Sequence, residues 1–265
     1  MSNEDRSEQG LTELGHDEAI ESARRLLAGA RNVAVLTGAG ISTAAGIPDF
    51  RGPKGVWTTN PGLERASNIH NYVVDADLRQ AAWRRRVQLA DHDAQPTAAH
   101  RSLVEFERRG ALVALATQNI DGLHHAAGSD PALVHEVHGS NRMSHCLSCG
   151  GEWPTMVLLD RVRAGEVDPP CVLCGGIVKP AVVFFGEQLP TAPFDAAMRA
   201  AEQCDLLLAV GTTLAVRPIS GMVSYAARNG ASIVIVNGSP TEMDDLATVI
   251  VGGDIQQVVP SILRG

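Results

Sequence analysis

Four cysteines fall into two closely spaced pairs that could hold one metal ion. Cys146 and Cys149 are separated by two residues, as are Cys171 and Cys174, and 21 residues lie between the pairs. At this spacing two thiolates can bind the same tetrahedral ion, and four would fill the coordination shell of zinc. Because no position would remain for a catalytic water, we expect a structural zinc site. The alternatives are two redox-active pairs, four unrelated buried thiols, or a zinc ribbon that binds nucleic acid.

A glycine-rich loop could bring the backbone close to a phosphate group. The apolar run NVAVLTG, residues 32–38, predicts a buried parallel strand, and the loop GAGIS, residues 38–42, continues from it. Glycines at this place let the backbone approach a pyrophosphate, and the N-terminus of a following helix would favour its charge. Thr43 stands where the common dinucleotide-binding pattern has a third glycine. A tight strand-to-helix turn is therefore the alternative.

Two further polar clusters follow strand-like or glycine-rich segments. Asp49, Phe50 and Arg51 come shortly after the loop, and their alternative interpretation is a core phenylalanine beside a local ion pair. The segment TQNIDG, residues 117–122, follows the predicted strand ALVALAT, residues 111–117. Open α/β sheets bind ligands at the carboxyl ends of their strands, where amide and carboxylate groups could bind a carboxamide and ribose hydroxyls. The alternative is that these Asn and Asp side chains only cap the next helix.

The elements that would position these groups alternate between strands and helices. Short apolar runs predict strands at 32–38, 111–117, 205–211, 231–237 and 247–253. Apolar residues at helical spacing predict a helix over 17–30. Helical stretches at 97–109, 193–203 and 218–229 precede three of the predicted strands. This alternation predicts an α/β fold with a Rossmann-like, doubly wound parallel sheet. Residues 53–95, which look helical, and 141–179, which contain the cysteine pairs, interrupt the alternation and predict an inserted smaller domain.

Several motifs, in one order along the chain, resemble those of the sirtuin family. They are GAGISTAAGIPDFRG at 38–52, TQNIDGLHHAAG at 117–128, HEVHG at 135–139 and KPAVVFFGE at 179–187, with GTT, VNG and GDI nearer the C-terminus. The resemblance extends over about residues 20 to 260. The chain departs from the family pattern at Val137, where leucine is usual, at Thr213, where serine is usual, and at Arg217, where an aromatic residue is common.

The resemblance implies an NAD-dependent protein-lysine deacetylase or deacylase. NAD would be consumed as a co-substrate: the acyl-lysine carbonyl oxygen attacks the nicotinamide ribose, and the products are free lysine, nicotinamide and O-acyl-ADP-ribose. By the same resemblance His138 is the catalytic base, Asn119 and Asp121 hold nicotinamide, and Asp49 with Arg51 orders a loop over the ribose. Imidazole suits a base because its pKa lies near neutrality. His135 is expected to pack in a strand, His124 to give structural support and Cys204 to pack in the core.

The resemblance also gives the binding positions. The NAD positions are Gly38, Ala39, Gly40, Ser42, Thr43, Asp49, Phe50, Arg51, Trp57, Gln118, Asn119, Ile120, Asp121, His138, Gly211, Thr212, Thr213, Asn237, Gly238, Asp254 and Ile255. The substrate-peptide positions are Val183, Phe184, Phe185, Gly186, Glu187 and Val216.

The polar N-terminus and the two interruptions of the strand–helix alternation predict how the chain divides into domains. We expect a flexible tail at 1–18, an NAD-binding domain from 19–52, 96–140 and 180–265, and a small domain from the two insertions 53–95 and 141–179.

One family branch binds acidic acyl groups through a Tyr-x-x-Arg pair. Trp83 stands in place of that tyrosine here, so acetyl or other uncharged acyl groups are expected, and Arg84 to Arg86 are expected to form a solvated helix face.

Composition argues against nucleic acid and membranes as partners. The formal net charge is −8, which disfavours nucleic acid and, more weakly, anionic membranes. The polar N-terminal residues and the absence of a long apolar run predict a cytoplasmic protein. The sequence is compatible with a monomer but does not fix the oligomeric state. The remaining rival functions are protein mono-ADP-ribosyl transfer, a non-catalytic module that binds NAD or acyl-lysine, and a zinc ribbon that binds nucleic acid.

Overall fold

The computed structural model describes residues 15–50, 52, 55–59 and 62–264. In this part of the chain the strands are β1 Val33–Thr37, β2 Leu112–Thr117, β3 Val134–Glu136, β4 Gly139–Cys146, β5 Glu152–Pro154, β6 Val178–Val182, β7 Leu206–Val210, β8 Ser232–Val236 and β9 Val249–Val251. The α-helices are α1 His16–Gly29, α2 Val56–Thr59, α3 Gly62–Arg65, α4 Ile69–Val74, α5 Ala76–Ala90, α6 Ala98–Glu107, α7 Leu123–Ala127, α8 Thr155–Arg163, α9 Thr191–Gln203, α10 Gly221–Arg228 and α11 Ile255–Leu263. Short 3-10 helices cover Ala39–Ala45 and Asp244–Leu246.

The larger sheet has six strands in the order β3-β2-β1-β7-β8-β9, and every neighbouring pair is parallel. The chain winds outward from β1 to β3 and then restarts beside β1 at β7. The topological switch point, where open parallel sheets bind ligands, therefore lies between β1 and β7. The predicted fold class is confirmed, and each predicted strand and helix matches an observed one to within a few residues.

Helices cover both faces of this sheet, which explains why its central strands are apolar without alternation. In β1 all five residues are buried. Val33 and Val35 pack with α1, α6 and α11 on one face, while Ala34 and Leu36 pack with α9 and α10 on the other. Successive side chains of a strand point to opposite faces, so a strand buried on both faces must be apolar throughout.

The smaller sheet is antiparallel, with the order β5-β4-β6. It carries the cysteine pairs, and a separate apolar cluster joins Cys146 and Cys171 to Trp83 of α5 and Leu158 of α8. The predicted helical insertion and cysteine insertion thus pack against each other. The division into two domains stays a prediction.

The predicted N-terminal tail lies outside the described residues as far as residue 14, and residues 16–18 belong to α1. Among the described residues, no helix is both long enough and apolar enough to span a bilayer.

Candidate active site

The ends of β1 and β7 meet through glycines. The Gly40 amide donates to the Gly211 carbonyl oxygen at 2.8 Å, and the Gly38 amide donates to the Val210 carbonyl oxygen at 3.0 Å. A Cβ atom on Gly40 would lie 2.7 Å from the Cα of Gly211. Glycine is therefore required for the close approach of the two strand ends at the switch point. Most of the predicted loop lies in a seven-residue 3-10 helix, Ala39–Ala45, which begins directly after Gly38.

Side chains from the loops after β1 and β2 form one hydrogen-bonded group beside these glycines. The side-chain nitrogen of Asn119, Nδ2, donates to the Gly38 carbonyl oxygen at 3.1 Å and to Ser42 Oγ at 3.2 Å. Ser42 Oγ donates to Asp121 Oδ2 at 2.7 Å. Asp121 Oδ1 also accepts the amide of Leu123, the first residue of α7, at 2.9 Å. Asp121 lies one residue before Gly122, the N-cap of α7, so its carboxylate contacts the start of this helix and Ser42 together.

A buried polar layer lies beneath this group. Thr37 Oγ1 donates to Thr117 Oγ1 at 2.9 Å and lies 2.9 Å from His124 Nε2, and the His124 and His100 ring centroids are 4.7 Å apart. Burial lowers the pKa of His124 well below its usual range and lowers that of His100 to about 4, so both rings are neutral near pH 7. The predicted structural role of His124 is confirmed. Sequence reasoning missed His100, although a polar residue on the apolar face of a predicted helix was the available signal.

His138 lies between β3 and β4 on the wall of the same cleft. Its Nδ1 is 3.1 Å from the carbonyl oxygen of Gln118. A carbonyl oxygen can only accept, so Nδ1 carries the proton and the lone pair is on Nε2. Burial lowers the pKa of His138, and the bond to Gln118 partly opposes that shift. The ring is therefore neutral at pH 7, the form that a general base requires.

An aromatic row continues the wall towards the predicted peptide segment. The ring centroids of Phe50 and Trp57 are 4.8 Å apart, and those of Trp57 and Phe185 are 5.6 Å apart. Phe50 is 38% exposed, so its interpretation as a core residue is wrong. Arg51 lies outside the described residues.

One cleft of about 1660 Å³ unites these groups. Apart from Arg51, every predicted NAD and peptide position lines it. On the side of the cleft away from the peptide segment, the side-chain nitrogen of Gln118, Nε2, donates to Thr212 Oγ1 at 2.9 Å. Asp254 caps α11 there by accepting the backbone amide of Gln256 at 2.9 Å. The binding roles of these positions stay predictions, whereas their convergence on one cleft is observed.

Comparison with known proteins identifies the family. The model of the Sir2 family matches residues 38–218, which is more than half of the chain. The chain belongs to the Sir2 family. Among its relatives, the NAD-dependent protein deacetylase 2 of Streptomyces coelicolor is 42% identical over 88% of this chain and 97% of that protein.

Solved Sir2 structures share the fold as well as the sequence. One structure, described as the structural basis for the mechanism and regulation of Sir2 enzymes, has a TM-score of 0.84 and 36% identity over 94% of this chain and 97% of that chain. Another, of Sir2 with a deacetylated p53 peptide and 3′-O-acetyl ADP ribose, has a TM-score of 0.83 and 30% identity over 92% of this chain and 97% of that chain.

The four cysteines of this Sir2 protein have the geometry of a metal centre. Their Sγ atoms all lie within 4.8 Å of one another, and the Sγ atoms of Cys146 and Cys174, and of Cys149 and Cys171, are 3.6 Å apart. Four sulfurs at about 2.3 Å from one zinc ion are separated by about 3.8 Å in a tetrahedron, whereas a disulfide has sulfurs about 2.05 Å apart. The geometry therefore suits one zinc ion. None of the four cysteines lines the cleft, so the centre is structural.

One expectation about the arginines of α5 is wrong. Arg84 is exposed, but Arg85 and Arg86 are partly buried and line the cleft. Arg86 lies against the buried Trp83 ring, 5.8 Å from its centroid, and donates to the Ala82 carbonyl oxygen at 3.2 Å. Burial lowers the pKa of its guanidinium, and its Nε–H has no hydrogen-bond partner among the described residues. The run of three arginines hid this difference, because helix phase decides which one points inward.

Proposed function

We propose that this chain is an NAD-dependent protein-lysine deacylase that removes acetyl or other uncharged acyl groups. The observation that carries the proposal is the single cleft at the switch point, because it brings His138, the Asn119–Ser42–Asp121 group and the 183–187 segment to one place. The curated relatives named NAD-dependent protein deacetylases support the same activity.

The residues have distinct roles in this proposal. Bound NAD supplies the electrophilic C1′ carbon and nicotinamide as the leaving group. Asn119 and Asp121, held together through Ser42, orient the carboxamide of nicotinamide. The loop after β1, whose glycines allow the two strand ends to touch, forms the pyrophosphate site on this proposal.

His138 provides proton transfer, and the substrate segment provides orientation. His138 Nε2 accepts a proton from a ribose hydroxyl, since Nδ1 is committed to the Gln118 carbonyl. Backbone groups of the 183–187 segment pair with the acyl-lysine peptide as an added strand. The products are free lysine, nicotinamide and O-acyl-ADP-ribose, and one water molecule is consumed.

We further propose that NAD lies between a large domain built on the parallel sheet and a small domain built from the helical and zinc-binding insertions. The structural zinc would then hold the small domain in shape without contacting either substrate. The partners on this proposal are acyl-lysine proteins.

The test is a reaction of the zinc-loaded protein with NAD and a panel of acetyl-, propionyl-, succinyl- and long-chain-acyl-lysine peptides. Mass spectrometry follows nicotinamide and O-acyl-ADP-ribose. We expect both products to depend on an uncharged acyl peptide and to be lost in His138→Ala. The matched control is His135→Ala, because His135 lies in β3 three residues earlier and does not line the cleft.

Other results would contradict the proposal in distinct ways. ADP-ribose attached to protein, with no O-acyl-ADP-ribose, would indicate a mono-ADP-ribosyltransferase. A strict preference for the succinyl peptide would overturn the expected acyl class, and Arg85 and Arg86 would be the cleft residues available to bind the acidic group. NAD and peptide binding without turnover would indicate a non-catalytic module.

A further inference from the structure

Lys179 is a buried lysine directly behind the proposed peptide segment. It lies in β6, and only 2% of its side chain is exposed. Its ammonium donates to the Val182 carbonyl oxygen at 2.7 Å, pairs with Glu187 Oε2 at 2.9 Å and lies 4.6 Å from the centroid of the Phe184 ring. All three contacts go to residues at or next to the 183–187 segment. A single charge thus holds both ends of that segment.

Glu187 completes the arrangement from the other end. Its Oε2 accepts the Phe184 amide at 2.8 Å as well as the Lys179 ammonium. Its own amide donates to the Phe184 carbonyl oxygen at 3.0 Å, which closes a turn through Gly186 at φ +90°. The carboxylate therefore points inward, towards Lys179.

Backbone hydrogen bonds to neighbouring elements also hold the 183–187 segment. The Val183 amide donates to the His138 carbonyl oxygen at 2.8 Å, and the Phe185 amide donates to the Ser67 carbonyl oxygen at 2.8 Å. These bonds anchor Val183 and Phe185, while the Lys179–Glu187 pair anchors the turn from Phe184 to Glu187. Residues 184–187 line the cleft wall, and both the ion pair and these backbone bonds hold them there.

If the Lys179–Glu187 pair only stabilised the fold, two well-packed apolar side chains could replace it. Removing two charges from water carries a penalty that their attraction only partly repays, so well-packed apolar replacements of a buried ion pair are often neutral or stabilising. Burial lowers the pKa of Lys179, the contact with Glu187 opposes that shift, and the nearby Arg86 adds to it. A positioning role would explain why a buried ion pair, and not two apolar side chains, lies behind the segment.

We propose that Lys179 and Glu187 are positioning residues that set the backbone of the 184–187 segment for the acyl-lysine peptide. This inference rests on the proposed function. It assigns Glu187 an indirect role, in which the carboxylate shapes the turn that meets the peptide and does not itself bind the peptide. Neither residue takes part in NAD binding or proton transfer.

The test compares Lys179→Met, Glu187→Gln and the double variant Lys179→Met/Glu187→Leu with the wild-type protein. We measure KM and kcat for an acetyl-lysine peptide, KM for NAD, the Kd of a fluorescent acetyl-lysine peptide, and Tm. We expect each single variant to raise the peptide KM by about tenfold or more and to lower Tm, because one buried partner loses its counterion. The KM for NAD should stay within about twofold, since the segment lies on the peptide side.

The double variant separates positioning from simple stability. If the pair positions the peptide, the apolar double variant recovers Tm but keeps the raised peptide KM and Kd. A matched control is Arg79→Met, because the Arg79–Asp168 pair is also partly buried, at 2.9 Å, and neither residue lines the cleft. That variant should lower Tm and leave the peptide KM unchanged.

Two results would overturn the inference. One is a wild-type peptide KM in the folded single variants, and the other is recovery of both Tm and KM in the double variant. If Lys179→Met does not fold, Glu187→Gln and the double variant carry the same comparison. Failure of the proposed function is recognised separately, because the wild-type protein itself would then turn over no acyl peptide.

Discussion

Replacing Gly40 by alanine tests whether the strand ends at the switch point must touch. Gly40 does not have a positive φ, so alanine meets no backbone strain there and the effect is purely steric. The new Cβ would lie 2.7 Å from Gly211 Cα and 2.9 Å from Gly211 O, whereas ordinary contact begins at 3.4 Å. Both neighbours are backbone atoms, so no flexible side chain can move aside.

The expected magnitude follows from that geometry. Overpacking a close-packed site costs about 1–3 kcal/mol, and we expect the upper end because the Gly40–Gly211 hydrogen bond of 2.8 Å must also shift. For a protein of this size that corresponds to a fall in Tm of roughly 10 °C. The KM for NAD should rise by about tenfold, because the same loop forms the proposed pyrophosphate site.

The assay is thermal and urea unfolding together with NAD kinetics at saturating acetyl-lysine peptide. The control is Gly29→Ala, because Gly29 is the last residue of α1 and a Cβ there would meet nothing within 4 Å. That variant should be neutral or stabilised by up to about 1 kcal/mol, since alanine favours a helix more than glycine does. A Gly40→Ala protein with wild-type Tm and wild-type KM for NAD would refute the steric argument.

Three further predictions concern ionisation and the metal. Because burial holds the pKa of His138 below 6.5, the acid limb of the kcat/KM profile should lie below pH 6.5. An acid limb above that pH that is lost in a His138 variant would contradict the role of His138 as a neutral general base. Cys171→Ser should contain no zinc by atomic absorption and should unfold at a lower temperature. Cys204→Ser, which changes a core thiol outside the cluster, should keep the zinc. Equal zinc content in the two variants would refute the assignment of the four cysteines as zinc ligands. His100 has a pKa near 4 in the folded protein, against 6.5 for the free side chain, so its contribution to stability is present above pH 6.5 and lost as pH falls towards 4. Urea unfolding should show about 3 kcal/mol of that loss, and His100→Gln should flatten it, since one pKa unit corresponds to about 1.36 kcal/mol.

The fold was predictable because the parallel sheet has a strong sequence signal. Strands buried on both faces must be apolar throughout, and the helices between them carry one apolar face. The cysteine spacing was equally informative, because two thiolates separated by two residues can bind one ion in many folds. Both signals depend on residues close in sequence, so the amino-acid sequence alone predicted the fold class and the four cysteines of the metal centre. The positions of the cleft came from the resemblance of the motifs to the sirtuin family.

The tertiary structure decided how residues distant in sequence meet. Lys179 and Glu187 belong to one recognisable motif, yet only the packing of β6 against the following turn shows that their charges pair behind the peptide segment. Arg86 is one of three identical neighbours, and its inward direction depends on how α5 packs on the small sheet. His100 and His124 come from two helices and share one buried layer. Such contacts depend on long-range geometry, and periodicity and motif spacing carry no information about it.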